Sequence, residues 1–539
     1  MDMRCFASKE SRDLVGKQTL HLVVPAPEDG EDPRTLLDTE VLRERVEHLA
    51  LAVPKLAAEQ MLEGLYRLNR HPVDSSHHEE LADLYWQAFQ QLRHHCCNTP
   101  AGSFQLSAKA LQFQKIMRQL AIELGYAYKY VITRRWRNKS VLGRGQIGQS
   151  ALLRALESLS FQLLFLYDQH EKDVLQVWRE VFQIYQLAES EGVQDKYARA
   201  SGSETPDVKI SISMRFAQIL LIRLLDPWRL AMGELWAAHR FLDVGAGFSR
   251  ITPCEKAVAV GASFVFSLSA VQLPSAVRHG RSIPASPDCR VLHTLQLNRY
   301  ISRELARLSA QTQGLKGDAS QRLLKLMLLA WNEPPARKAS RKPARGWLQV
   351  AWGLDAVAHF YTEDHAGVEL ELQPIVEMTD AIGLGRQAPR TFSLERWRQV
   401  DNSVSGMCLE FSTNTESRPR PGDLVLLRHG DGQHHLGYIC WLQQHGERMA
   451  RVGISLLNGR FRAVKVKPIV VGKTISGQLP ALLAESNKKD AGLGLLIERG
   501  AYHEAAEFLV EDRDRMYRLD RRQLLDRTAS FDYLDVVLM

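Results

Sequence analysis

At 539 residues the chain is longer than one hydrophobic core usually supports, and about 100 to 200 residues per domain suggests roughly three domains. Its 45% hydrophobic and 24% charged residues are those of an ordinary globular protein, which excludes a fibrous or globally disordered chain. The net charge of +7 suits an anionic partner but is too small and too dispersed to indicate nucleic acid.

The first residues, MDMRCFASKESRDLVGK, mix acids and polar side chains, so they read as neither a secretory signal nor an anchor. No stretch reaches 18 apolar residues without charge, and a cytoplasmic location is expected. Seven cysteines, at 5, 96, 97, 254, 289, 408 and 440, show no CxxC pairing and fit reduced thiols. The RHHCC run at 93–97 suggests zinc only superficially, because four adjacent side chains fan around a helix and cannot converge on one ion. No metal or cofactor is expected.

After an N-terminal segment, 1–34, residues 35–332 carry apolar positions at spacings of three and four, as in ALQFQKIMRQLAIEL and SALLRALESLSFQLLFLYDQH. An all-helical domain is the expectation, with Trp86, Trp136, Trp178, Trp228 and Trp236 as packing residues. Near 255–300 the helical pattern lapses into the β-like AVAVGASFVFSLSAVQL. GRGQIG at 143–148 matches a dinucleotide-type glycine pattern but sits between helical segments, where a turn is the plainer reading. FLDVGAGFSR at 241–250 is similar to the first motif of methyltransferases. Asp243 to Gly247 therefore carry a remote alternative, an S-adenosylmethionine-dependent enzyme, against the plain reading of a helix ending in glycines.

The texture changes at NEPPARKASRKPARG, 332–346, where proline and basic residues mark a boundary. Beyond it come short runs of β character, WLQVAWGL, RWRQV, MCLEFST, DLVLLRH, LGYICWLQQ, ARVGISLL and VKVKPIVVG, separated by turns rich in Gly and Pro. Near-even spacing of short strands predicts a small antiparallel barrel over 333–475, with an insertion at about 359–396. Residues 476–539 read as a β-rich extension too short to bury much by itself, hence packed on the barrel. The fold class is multidomain α plus β: an all-helical N-terminal domain, a small antiparallel β-barrel and a short β-rich C-terminal extension.

Two motifs in the barrel region carry chemistry. RKASR places Arg337 and Arg341 just before the first strand, and guanidinium groups at that spacing can fork onto phosphate oxygens or guanine. DNSVSG places Asp401, Ser403 and Gly406 at a turn before a later strand. Together with PGDLVLLR, LGYICWL and RVGISLL, they resemble the PilZ domain family, over about 337–475. The helical region ahead and the RTASFD tail behind look like a bacterial subgroup of that family. The resemblance implies a signalling effector that binds the second messenger cyclic di-GMP and is not an enzyme. It further implies that Arg337 and Arg341 grip phosphates and guanine faces, that Asp401 and Ser403 take guanine edges, and that Gly406 lets the backbone come close. Lys338 or Arg345 would add a further basic contact.

Two departures leave alternatives open. RKPAR makes Arg341 and Arg345 a second candidate pair, and RQAPR inside the insertion offers Arg386 and Arg390. The chain between Arg341 and Asp401 is also longer than the family's usual spacing, although a surface insertion costs little loop entropy. The leading expectation is a cyclic di-GMP effector whose helical domain meets a protein partner; no direct signal for nucleic acid or membrane is present. The alternative is a scaffold whose barrel no longer binds the ligand.

Overall fold

The structure, a computed structural model, describes residues 20–28, 38–49, 52–71, 73–97, 108–142, 147–199, 209–254, 261–277, 286–311, 315–332, 340–364, 376–377, 392–413, 419–430, 432–446, 448–470, 473–474, 478–485, 493–501, 507–512 and 515–539. Up to Asn332 these form helices α1 (Thr39–Glu47), α2 (Pro54–Arg70), α3 (Ser75–Cys97), α4 (Ala108–Leu142), α5 (Gln149–Asp168), α6 (Leu175–Ser190), α7 (Ile212–Leu224), α8 (Glu234–Gly245), α9 (Leu295–Gln311) and α10 (Leu315–Asn332). Caps fix some of the starts: the Asp38 carboxylate accepts from the backbone N–H groups of Glu40 and Val41, and Ser211 Oγ from that of Met214.

Helix α5 is buried on nearly every side from Ala151 to Tyr167, so it forms the axis against which α4, α6 and α7 pack. One continuous core runs through this half and holds Trp86, Trp178, Trp228 and Trp236, with Trp136 packed at its edge. Between α6 and α7 lies a two-stranded pair, β1 (Ala198–Arg199) and β2 (Lys209–Ile210). Between α8 and α9 lies a four-stranded antiparallel sheet: β3 (Arg250–Pro253), β4 (Ser263–Ser267), β5 (Gln272–Ala276) and β6 (Cys289–His293), in the order β3-β6-β4-β5. This sheet is the β-like lapse in the helical pattern.

Six strands then close a barrel: β7 (Lys342–Trp352), β9 (Glu395–Ser403), β10 (Gly406–Ser412), β11 (Leu424–Arg428), β12 (His434–His445) and β13 (Met449–Leu456), in the order β10-β13-β12-β11-β7-β9. Alternation decides which side chains enter it: Leu348, Val350, Trp397, Met407, Leu409, Phe411, Val452 and Ile454 are buried inside, and their sequence neighbours face out. A second ring follows, made of β14 (Arg460–Val470), β16 (Leu479–Glu485), β17 (Leu493–Glu498), β20 (Phe531–Leu538), β19 (Arg515–Arg527) and β18 (Glu507–Asp512), with β18 pairing back onto β14. The two-residue β15 (Lys473–Thr474) pairs with β14, and β8 (Val376–Glu377), from the insertion, pairs with β19.

The C-terminal part is therefore a closed barrel with its own interior, including Val466, Leu483, Leu495, Phe508, Val510, Tyr517, Leu519 and Leu534, in place of the expected short extension. Strand β14, read from sequence as the end of the first barrel, belongs to this second one. Its alternating pattern is that of any barrel strand, and its assignment is made by pairing with β16 and with the distant β18. Helix α11 (Leu354–Asp364) fills the angle between the two barrels. There Val357, Ala358, Phe360 and Tyr361 share an apolar cluster with Leu424, Leu426 and Leu436 of the first barrel and Phe461, Leu482, Leu496 and Phe531 of the second. The RTASFD segment seals the same junction: Thr528 Oγ1 donates to the Gly422 carbonyl at 3.0 Å, and Ser530 Oγ to Asp423 Oδ1 at 2.5 Å.

The first barrel also docks on the helical half through β12. Gln444 N–H donates to the His170 carbonyl at 2.8 Å, Glu171 and Gln444 form a parallel bridge, and Trp441 packs against the helical core. Among the described residues no helix is long and apolar enough to cross a membrane.

Candidate functional site

Strands β9 and β10 form a hairpin whose two-residue turn is Val404-Ser405, with Ser403 opposite Gly406. The DNSVSG motif is this hairpin. Ser403 Oγ donates to the Gly406 carbonyl at 3.0 Å and so fixes the turn from within. Gly406 runs against β13 so closely that a Cβ there would lie 2.4 Å from the Ile454 carbonyl oxygen. Only a residue without a side chain permits that approach.

Strand β7 brings Arg341 to the same place. Pro343 is opposite Asp401, and Arg341 Nη1 donates to Asp401 Oδ2 at 3.3 Å. Both side chains keep partial access to solvent. The other oxygen of that carboxylate, Oδ1, is buried and accepts no hydrogen bond among the described residues. A buried acceptor without a donor costs free energy, on the order of 1–3 kcal/mol, until something donates to it.

Arg345 sits on the same strand. Pairing skips from Pro343 to Gly346, so Ala344 and Arg345 form a bulge and the Arg345 side chain is exposed. Arg337 and Lys338, and the alternative pair Arg386 and Arg390, lie outside the described residues.

The register aligns outward-facing residues in two rows across the barrel wall. One row runs Pro343, Asp401, Cys408, Gly453, Trp441, and the next runs Trp347, Arg398, Glu410, Arg451, Gln443. In the first row burial, and then the charge of Asp401, push the Cys408 thiol up to about 11, so it stays protonated at neutral pH. The Trp441 indole covers Gly453 so tightly that a Cβ there would meet Nε1 at 1.9 Å. In the second row Arg398 Nε and Arg451 Nε donate to the two oxygens of Glu410, at 2.9 and 3.0 Å. Burial alone would raise the Glu410 carboxyl, but hydrogen bonds and charge from these two arginines outweigh it and hold the group below its ordinary value.

The two sequence motifs do not include Cys408, Glu410, Arg451, Trp441, Trp347 or Arg398, which the strand register brings beside them. The last was discoverable, since in RWRQV the inward Trp397 forces both neighbouring arginines outward. The others depend on strand register, which no local pattern specifies.

The methyltransferase alternative does not survive. Asp243 lies on α8, which continues into a 3-10 turn at Ala246–Phe248, so the glycines end a helix and no strand precedes them. The carboxylate of Asp243 accepts from Arg215 Nη1 at 3.0 Å and from Gln218 Nε2 at 3.2 Å within the helical core.

The helical half has a relative among known families. Residues 40–255 match the family model of the N-terminal domain of the cyclic-di-GMP receptor FimW. The matched stretch runs from α1 to the end of β3 and contains none of the barrel residues described above. It supports a cyclic di-GMP receptor, with cyclic di-GMP as the ligand. No curated protein and no solved structure matches the chain.

Proposed function

We propose that the chain is a non-enzymatic cyclic di-GMP effector of the PilZ type, and that the ligand sits on the outer face of the first barrel. Arg341 and Arg337 take phosphate oxygens and a guanine face, Asp401 and Ser403 take a guanine edge, and Lys338 or Arg345 adds a basic contact. The observation that carries this reading is the Asp401 carboxylate, with one oxygen beside Arg341 and the other buried without a donor among the described residues. Guanine presents N–H donors on one edge, which is what such an acceptor lacks, and guanidinium groups suit phosphate. The match of the helical half to a receptor for the same nucleotide supports the ligand from a separate part of the chain.

Coupling to the helical domain follows the first row. Ligand pulling on Asp401 acts on β9 and β10, then on β13 at Gly453 and on the Trp441 indole, which rests on the helical core. In this reading the helical domain passes the change to a protein partner. A two-state response needs the ligand to favour one arrangement of this contact over another.

Calorimetric titration tests the proposal. Cyclic di-GMP should give binding heat, and GTP and S-adenosylmethionine none. Arg341→Ala should weaken binding more than about tenfold, the loss of a charge-assisted contact of roughly 1.5–3 kcal/mol. Silence with all three ligands would favour the scaffold reading. Normal binding by Arg341→Ala together with its loss in Arg390→Ala would move the site to the insertion.

A further inference from the structure

We propose that Trp347 is a stacking platform for a purine base, and that Arg398, opposite it on β9, faces the phosphates of the same ligand. The inference rests on the cyclic di-GMP reading and extends its site by one row.

Trp347 is 56% exposed, whereas its neighbour Leu348 is buried in the barrel. A large aromatic ring on the outside of a strand buries little on folding, so packing does not account for it. The ring lies on a basic surface: the Arg396 guanidinium carbon is 5.3 Å from its centroid, and Arg398 is directly opposite on β9. Arg398 and Arg451 share the single carboxylate of Glu410, so that cluster keeps one net positive charge, and Arg396 adds another.

Position ties this patch to Asp401. On β9 the two rows pass through Asp401 and Arg398, three residues apart with Val400 left out of the pairing, so they lie about 7–10 Å apart along the strand. That step is shorter than a dinucleotide. A ligand held at Asp401 and Arg341 by one guanine can therefore reach the next row with its other ring. Trp347 there offers a face to any base, and the arginines offer charge to the phosphates between. The contact of Arg396 with the ring is solvent-exposed and therefore weak enough for a base to displace it.

Titration of the full chain with cyclic di-GMP, with melting temperatures recorded alongside, tests the inference. Trp347→Leu should weaken binding about five- to hundredfold, the loss of one base–aromatic stack, without lowering the melting temperature. Trp347→Phe should retain most of the affinity. Wild-type affinity in Trp347→Leu would overturn the platform and leave the Arg341–Asp401 reading standing. Absence of binding by the wild-type chain would overturn both. Hydroxyl-radical footprinting of the wild-type protein gives a check that does not depend on how the variant folds: cyclic di-GMP should shield Trp347 from oxidation, and unchanged oxidation at saturating ligand would refute the stack.

Discussion

Gly406 and Glu410 stand four residues apart on β10 and play opposite parts, one by lacking a side chain and one by burying a charge. Gly406→Ala would force a methyl group onto the Ile454 carbonyl, and backbone cannot move aside as a flexible side chain can. We expect a loss of about 1–3 kcal/mol, read as a lower urea midpoint, with the hairpin displaced. Glu410 makes stability depend on pH in a definite direction. Its carboxyl is held below the ordinary value in the folded protein, so its contribution is complete above the unfolded value of about 4.3 and is lost as pH falls through the lower folded value. Melting temperatures measured from pH 6 down to pH 3 should therefore fall less steeply in Glu410→Gln than in the wild type. Equal slopes would mean that Arg398 and Arg451 do not hold the carboxylate in solution.

Strand β12 is the element on which the two halves meet, since Trp441 points from it to the helical core and lies over Gly453 of its neighbour. Gly453→Ala would drive the indole off its seat. The expected outcome is a barrel that still binds cyclic di-GMP while the connection at Gln169–Val174 loses its protection from amide exchange; unchanged exchange there would show that β12 does not transmit. Much at this scale was legible in the sequence. The β character and near-even spacing of the short runs marked all six strands of the first barrel, with β14 wrongly added to them, and the helical periodicity of 35–332 is the observed helical half apart from the β3–β6 sheet. Beyond the pattern's reach were the closure of the second barrel, which depends on β14 meeting β18 about forty residues later, and α11, whose apolar face is explained only by the two barrels it separates. Local patterns report which side of an element is apolar and leave open what covers it.

The whole molecule is a helical half and two barrels joined by shared surfaces: β12 on the helices, and α11 with the RTASFD segment between the barrels. Of the candidate site, the sequence identified Arg341, Asp401, Ser403 and Gly406, and the fold gathers these four at one hairpin despite the long chain between Arg341 and Asp401. The insertion is accommodated because α11 leaves the end of β7 away from Arg341 and β8 reaches the second barrel. The family match lies in the helical half, whereas the proposed ligand contacts lie on the first barrel. Hydrogen–deuterium exchange of the full chain with and without cyclic di-GMP separates the two locations directly. Ligand should slow exchange most in 337–345 and 398–408, with a smaller effect at 168–174 where β12 docks. Strong protection confined to 40–255, with the β9–β10 hairpin unchanged, would contradict the barrel site.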